Sequence, residues 1–402
     1  MKILLTLLFP LAVLGAPFLA CADTIELPAD PPAFRTVELT ENWRLGADDS
    51  DVLLGVITGA VIDDAGQVYL IDRQLSQILV IGPDGELVTI LGREGEGPGE
   101  LNQPHALLLL DDGAVGAIQG FPGRIIGLNA DGTPAGDVTL GGGAEEGGFS
   151  FVRECLRVGD GFVASTGRMT FDMNTGQSSL TSMLGVYDRQ GALVTTIAEH
   201  AKENDVTRQV FDEAADFTEF QQSVAGADGT IYTTPIRDKY VLKAHDRQGN
   251  VLRTLHRPFV PRKRSQDEKD AMSDDVRMVV NGQRLEVENK ALDTDPVFRD
   301  LAVAADGRLF VTTCYQYRMQ LPAGTAGKYD VISPAGQYLE ELTLLVPDFD
   351  GDQDVLYFID GTHFMVIKNF EAASDAMDGG GEEDEEVEDE AEPLSVIFLT
   401  MP

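Results

Sequence analysis

Cysteine, histidine and basic residues are all scarce in this 402-residue chain, which holds three Cys, five His and 30 Lys plus Arg against 67 Asp plus Glu. One cysteine, Cys21, lies in the N-terminal apolar segment, so Cys155 and Cys314 are the two left to a secreted form. The histidines (105, 200, 245, 256 and 363) are too scattered to supply a metal triad. Net charge is −37, or −38 once Lys2 is removed with the leader, which argues against nucleic acid and anionic membrane surfaces as partners. Nine lysines amid so much acid suit a protein working in salty surroundings. No Gly-Lys-Ser/Thr follows the glycines at 95, 97 and 99, so a phosphate loop is excluded. Ser165 stands in Val-Ala-Ser-Thr-Gly, not in the Gly-x-Ser-x-Gly of a nucleophile elbow.

Long apolar runs are also missing, except at the start. Lys2, the apolar core Ile3 to Leu14 and the small residues Ala20-Cys21-Ala22 read as an export signal over residues 1–22. Pro10, Gly15 and Pro17 interrupt it and argue against a spanning helix. Phe18-Leu19-Ala20-Cys21 fits a lipobox in part, so lipidation at Cys21 is the rival to soluble export. The expected location is therefore periplasmic or secreted, with membrane contact if Cys21 is lipidated. The remaining residues, 23–402, are expected to form one domain and to be monomeric.

A short phrase recurs six times: apolar residues, an acidic turn ending in glycine, then a β-branched and aromatic run. The turns are at Gly66, Gly113, Gly159-Asp160-Gly161, Gly229, Gly307 and Gly361. A second series follows at Gly85, Gly132, Gly191, Gly249 and Gly336. Asp-Gly and related pairs supply the positive φ of tight hairpins. Two turns per unit, six times over, predict an all-β fold: a six-bladed β-propeller with four strands per blade. The sixth unit has a first turn but no second, and its last run, Leu394 to Thr400, ends the chain. The run Phe34-Arg-Thr-Val-Glu-Leu-Thr belongs to no hairpin, and residues 34–40 are therefore expected to supply the outer strand of blade six. Cys155 and Cys314 fall in blades three and five, too far apart to pair, and two free buried thiols are expected.

The segment from Gly92 through Asn102-Gln103-Pro104-His105, followed by the turn at Gly113, resembles an NHL repeat. The likeness covers blades one and two; blades three to six keep the turns and lose the motif. It implies a six-bladed NHL-like propeller, a scaffold shared by binding proteins, lactonases and lyases, so it sets no function.

The first and third turns of a propeller blade lie on one face, and here they are short. The other face receives the insertions: residues 166–181, 313–328 and 369–393, with long connections at 200–220 and 259–297. Loops on a rigid scaffold carry binding, so this face is the expected binding face. Two short helical insertions are predicted there. One starts at the capping box Ser265-Gln-Asp-Glu268 with a stripe at Met272, Val276 and Val279; the other carries Val206, Val210, Ala214 and Phe217. The same face holds a cation near each blade's loop: Arg73, Arg124, Arg168, Arg237 with Lys239, Arg318 and Lys368. With His105, the arginines are the expected ligand contacts, suited to carboxylate, sulfate or phosphate. Asp348, Asp350, Asp352 and Asp354 alternate like the start of a calcium loop, and calcium is the cofactor that set implies. Ile359, however, occupies position twelve where a bidentate Glu belongs. Residues 379–393, with their acidic run Glu382 to Glu392, are expected to be a disordered loop inside blade six. The expected function is a binding or interaction module for an extracytoplasmic small molecule, glycan or protein. The alternative is a calcium-dependent, lactonase-like hydrolase with metal in the central channel.

Overall fold

A computed structural model describes residues 23–46, 52–140, 148–172, 177–205, 210–274, 279–280, 283–284, 288–377 and 393–402. The leader with Cys21, Val206, Val276 and the whole acidic run Glu382 to Glu392 lie outside these residues.

Six antiparallel sheets form the ring. Blade one is Ile57–Ile62, Val68–Asp72, Gln77–Ile81 and Leu87–Leu91, and blade two is Pro104–Leu109, Val115–Gln119, Arg124–Leu128 and Pro134–Thr139. Blade three is Gly148–Val158, Gly161–Asp172, Gln177–Tyr187 and Leu193–Asp205. Blade four is Ser223–Ala225, Ile231–Thr233, Tyr240–His245 and Val251–Arg257; blade five is Phe298–Val303, Leu309–Thr313, Thr325–Ile332 and Tyr338–Leu345. Blade six joins Val355–Phe358, His363–Lys368 and Ser395–Thr400 to Thr40–Gly46 from the N-terminal region. The turn glycines sit at positive φ, Gly66 at 80° and Gly85 at 85° among them, where a side chain would be strained; in blade three it is Gly159, at 59°, and not Gly161 that takes this conformation.

Each strand alternates its side chains between the two neighbouring blades, so the core is six apolar seams. Ile71, Ile78 and Leu101 fill the seam between blades one and two with Leu107, Val115 and Ile126. Equivalent clusters fill the other five joints.

Closure corrects the predicted strand. Phe34–Glu38 runs parallel to Tyr338–Leu345 and is a fifth strand of blade five, from Phe34↔Glu341 to Glu38↔Leu345. Blade six is completed instead by Thr40–Gly46, antiparallel to Ser395–Thr400 with Trp43 opposite Phe398. Both segments alternate, but Trp43 and Leu45 are buried while Phe34 is 73% exposed. The later segment places Trp43 and Leu45 in the seam between blades six and one. Asp23–Glu26 adds a parallel fifth strand to blade four. The N-terminal segment is thus a strap around three blades, plugging the four–five seam with Leu27, the five–six seam with Leu39 and the six–one seam with Trp43.

Two insertions differ from expectation. Residues 166–181 are not a loop: the central strands of blade three continue, paired from Phe162↔Tyr187 out to Asp172↔Gln177. The 200–220 connection is a continuing strand to Asp205, a short strand Val210–Asp212 and one helical turn, Glu213–Asp216. Pairing of Val210–Asp212 with Glu288–Lys290 takes the place of the predicted helix there. The capping box forms as expected: Glu268 N donates to Ser265 Oγ at 3.2 Å and Ser265 N to Glu268 Oε2 at 2.7 Å, opening the helix Gln266–Asp274. An unexpected helix, Phe370–Met377, stands in the blade-six loop. Cys155 and Cys314 are free and buried.

Candidate functional site

The innermost strands of blades one, two, three and five each carry one extra residue against their partner, at Thr58, His105, Arg153 and Arg299. A bulge of this kind breaks the side-chain alternation and re-aims the residues beside it. The bulged residues are tied around the ring. Thr58 Oγ1 donates to His105 O at 3.0 Å, and His105 Nε2 to Arg153 O at 2.9 Å. His105 therefore carries its proton on Nε2 and bridges blades two and three. Burial, reinforced by the charge of Arg73, lowers its pKa and keeps it neutral.

Two bulges are followed by an acid: Arg153-Glu154 in blade three and Arg299-Asp300 in blade five. Both carboxyls are open to the central lumen. Protein nevertheless surrounds them, and confined space solvates a charge less well than bulk water. Burial pushes Glu154 up to about 7, helped by the negative charge of Asp300 and opposed by Arg153. Burial pushes Asp300 up to about 6, against the Leu301 N–H that donates to its Oδ1 at 2.8 Å. Tyr357 of blade six, hydrogen-bonded to the backbone of Ala60 in blade one, feels both acids, and Tyr329 feels Asp300. Sequence reasoning missed this pair. Its signal was the Arg-acid dipeptide at the same place in two repeats.

Asp300 also lines a cleft of about 270 Å³ on the loop-bearing face, between blades four, five and six. Gln222 of blade four, Leu356 of blade six and Arg299, Tyr317, Lys328 and Tyr329 of blade five form much of its wall. The Arg299 guanidinium lies 4.9 Å from the Tyr317 ring centroid and donates to Asp295 at 3.1 Å, while its buried Nε has no acceptor among the described residues. Lys328 pairs with Glu341 at 2.9 Å.

Of the predicted ligand contacts, Arg318 lines this cleft. It is also paired with Glu371 and donates to Asp354 O at 3.1 Å. Arg124 faces Glu96 at 3.3 Å and Asp137 at 3.7 Å. Arg237 is held by Glu213, by Asp238 at 2.5 Å and by Thr294 O at 2.6 Å. Arg73 is half-buried near His105, and Arg168 is exposed on the long blade-three hairpin opposite Thr181. Arg124, Arg237 and Arg318 are thus each held by a different acid.

Arg237 belongs to a network that anchors the two long connections. Arg264 donates to Glu213 at 2.7 Å and to Asp295 at 2.8 Å, and Arg262 to Asp295 at 2.5 Å and Glu268 at 2.8 Å. Burial pushes Glu213 up, but bonds from Arg264, Leu292 N and Arg237 outweigh it and hold its pKa below the ordinary value.

The aspartate run is a self-bonded loop. Asp350 N donates to Asp354 Oδ2 at 2.8 Å and Asp352 N to Asp350 Oδ1 at 2.9 Å, while buried Asp354 also accepts from Asn369 N and pairs with Lys368. A carboxylate already taken by an ammonium and two backbone amides does not offer the converging oxygens calcium needs. Among the described residues no group of three or more His, Cys, Asp or Glu is placed to hold a metal ion.

The six sheets define the class of the molecule, a six-bladed β-propeller closed by an N-terminal strand. No protein-family model matches the sequence, and no curated protein matches it. Among solved structures, an exported protein of Bacteroides fragilis aligns over 94% of this chain and 99% of its own, at 12% identity and TM-score 0.47. A member of a family of unknown function from Bacteroides vulgatus aligns over 91% and 98%, at 11% identity and TM-score 0.47. A gluconolactonase from Xanthomonas campestris aligns over 94% and 97%, at 13% identity and TM-score 0.40. No helix among the described residues is long and apolar enough to cross a membrane.

Proposed function

We propose that this protein is an exported, NHL-like propeller that binds an extracytoplasmic ligand on its loop-bearing face, in the cleft between blades four, five and six. The carrying observation is that cleft of about 270 Å³, with Asp300 and Arg299 in its lining. A concave site with aromatic walls and a few convergent polar groups is the usual form of a small-molecule pocket. The leader over residues 1–22 supports export, and the binding reading needs neither a metal nor a membrane.

A thermal-shift ligand screen, run with calcium and with chelator, tests this. Gln222→Trp fills the cleft from its wall and should abolish the shift given by any true ligand. Shifts that survive Gln222→Trp would place the site elsewhere. The calcium-dependent hydrolase remains the second reading because two carboxyls from different blades, Glu154 and Asp300, face one lumen. It requires calcium to raise the melting temperature and Glu154→Gln to remove that effect.

A further inference from the structure

We propose that the cleft ligand is a zwitterion, a small molecule carrying an ammonium and a carboxylate, with the chemistry of an α-amino acid or short peptide. This inference rests on the reading of the cleft as the binding site. It adds the charge pattern of what enters.

The pattern comes from the bulge at Arg299. In an unbulged strand, consecutive residues point to opposite faces of the sheet. Here Phe298 pairs with Thr313 and Asp300 with Thr312, leaving Arg299 unpaired between them. Arg299 and Asp300 therefore both line the cleft, a positive and a negative group side by side.

Each has bonding capacity to spare. Among the described residues the Asp300 carboxyl accepts one hydrogen bond, from the adjacent Leu301 N–H. Arg299 gives one, to Asp295, and that carboxylate is already shared with Arg262 and Arg264. Lys328 adds a second cation, with Glu341 as its one ion-pair partner there. Three further points fix the polarity.

A net charge of −37 repels a purely anionic ligand and draws a cationic end toward the lumen. Asp300 lies close enough to Glu154 for its negative charge to disfavour ionisation there. An ammonium there relieves that repulsion. A carboxylate at the other end meets Arg299 in the fork geometry it binds best. A ligand with a charge of a single sign would use only one of the two groups, Asp300 or Arg299. The cleft volume is at the small end for ligand pockets, and the Tyr317 and Tyr329 rings offer it an apolar wall.

The test is calorimetry on the full mature chain with L-phenylalanine and glycyl-L-phenylalanine as probes. N-acetyl-L-phenylalanine lacks the ammonium and L-phenylalanine amide lacks the carboxylate. At least one of the two zwitterions should bind, the free amino acid if that is the source and the dipeptide if a peptide is. Each blocked form should lose about tenfold or more, since it forfeits a charge-assisted hydrogen bond to the cleft. Asp300→Asn should erase the preference over the acetylated form, and Arg299→Gln the preference over the amide, with circular dichroism confirming that both variants fold. Equal binding of the blocked forms, discrimination surviving these substitutions, or no binding by either zwitterion would overturn the proposal. If the broader screen still yields a ligand lost in Gln222→Trp, the zwitterion fails while the cleft stands. If nothing depends on Gln222, both fail.

Discussion

Replacing Asp300 with Asn should stabilise the protein at pH 8. The carboxyl is raised from 3.8 to about 6 in the folded state, chiefly by burial. A group whose folded pKa lies above its unfolded value binds more protons folded than unfolded across that window. Its contribution to stability is then absent below about pH 4 and becomes a growing penalty as pH rises through 6. Two pKa units correspond to about 3 kcal/mol at face value. The carboxyl is open to the lumen, so solvent screening reduces the penalty to about 1 kcal/mol. Glu154 adds a similar penalty in the window between 4.5 and about 7, and it is relieved in part when its neighbour loses its charge. Asp300→Asn should therefore raise the urea midpoint at pH 8 and leave it near the parent's at pH 4. The sole tryptophan, Trp43, buried in the closure seam, is the fluorescence probe for the transition. A variant that melts below the parent at pH 8, or a difference independent of pH, would refute the lumen assignment of these acids.

Three further outcomes test the architecture. Deleting residues 23–38 removes the parallel strands from blades four and five and should lower stability while a cooperative melt persists. Deleting residues 23–46 opens blade six and should abolish that melt, as seen by circular dichroism. Trp43→Ala removes a ring stacked 4.9 Å from Phe398 and should cost about 3–5 kcal/mol by urea denaturation. Arg257→Ala strips the partner from Asp330, a buried carboxylate that also accepts from Tyr338 OH at 2.7 Å, and should cost about 3–5 kcal/mol. Asp330→Asn with Arg257 intact gives the control for the charge.

The turns, blade count and free cysteines were legible because they depend on local chemistry. A glycine at φ 80° or 85° is required wherever the hairpin is tight, whatever the rest of the ring does. The capping box at Ser265 was equally local. Cys155 and Cys314 stayed apart because the repeat order alone puts them in blades three and five. The cation series on the loop face was legible as residues but not as a site. Whether Arg237 reaches a ligand or Glu213 depends on how the connection at 210–217 folds back, which no local pattern encodes.

Closure and the lumen needed the tertiary structure for the same reason. Residues 34–38 and 40–46 both alternate, and the choice between them is made by the seam that Trp43 and Leu45 fill and Phe34 does not. Arg299-Asp300 looks like an ordinary surface pair in sequence. A single unpaired residue in the strand turns both side chains toward one cleft, and the ring then brings Asp300 within electrostatic reach of Glu154, two blades away. Sequence determined the repeating unit, because hairpin geometry is set by neighbours along the chain. The tertiary structure decided the strap, the bulges and the facing acids, because those follow from contacts between residues far apart in sequence that meet once the ring is closed.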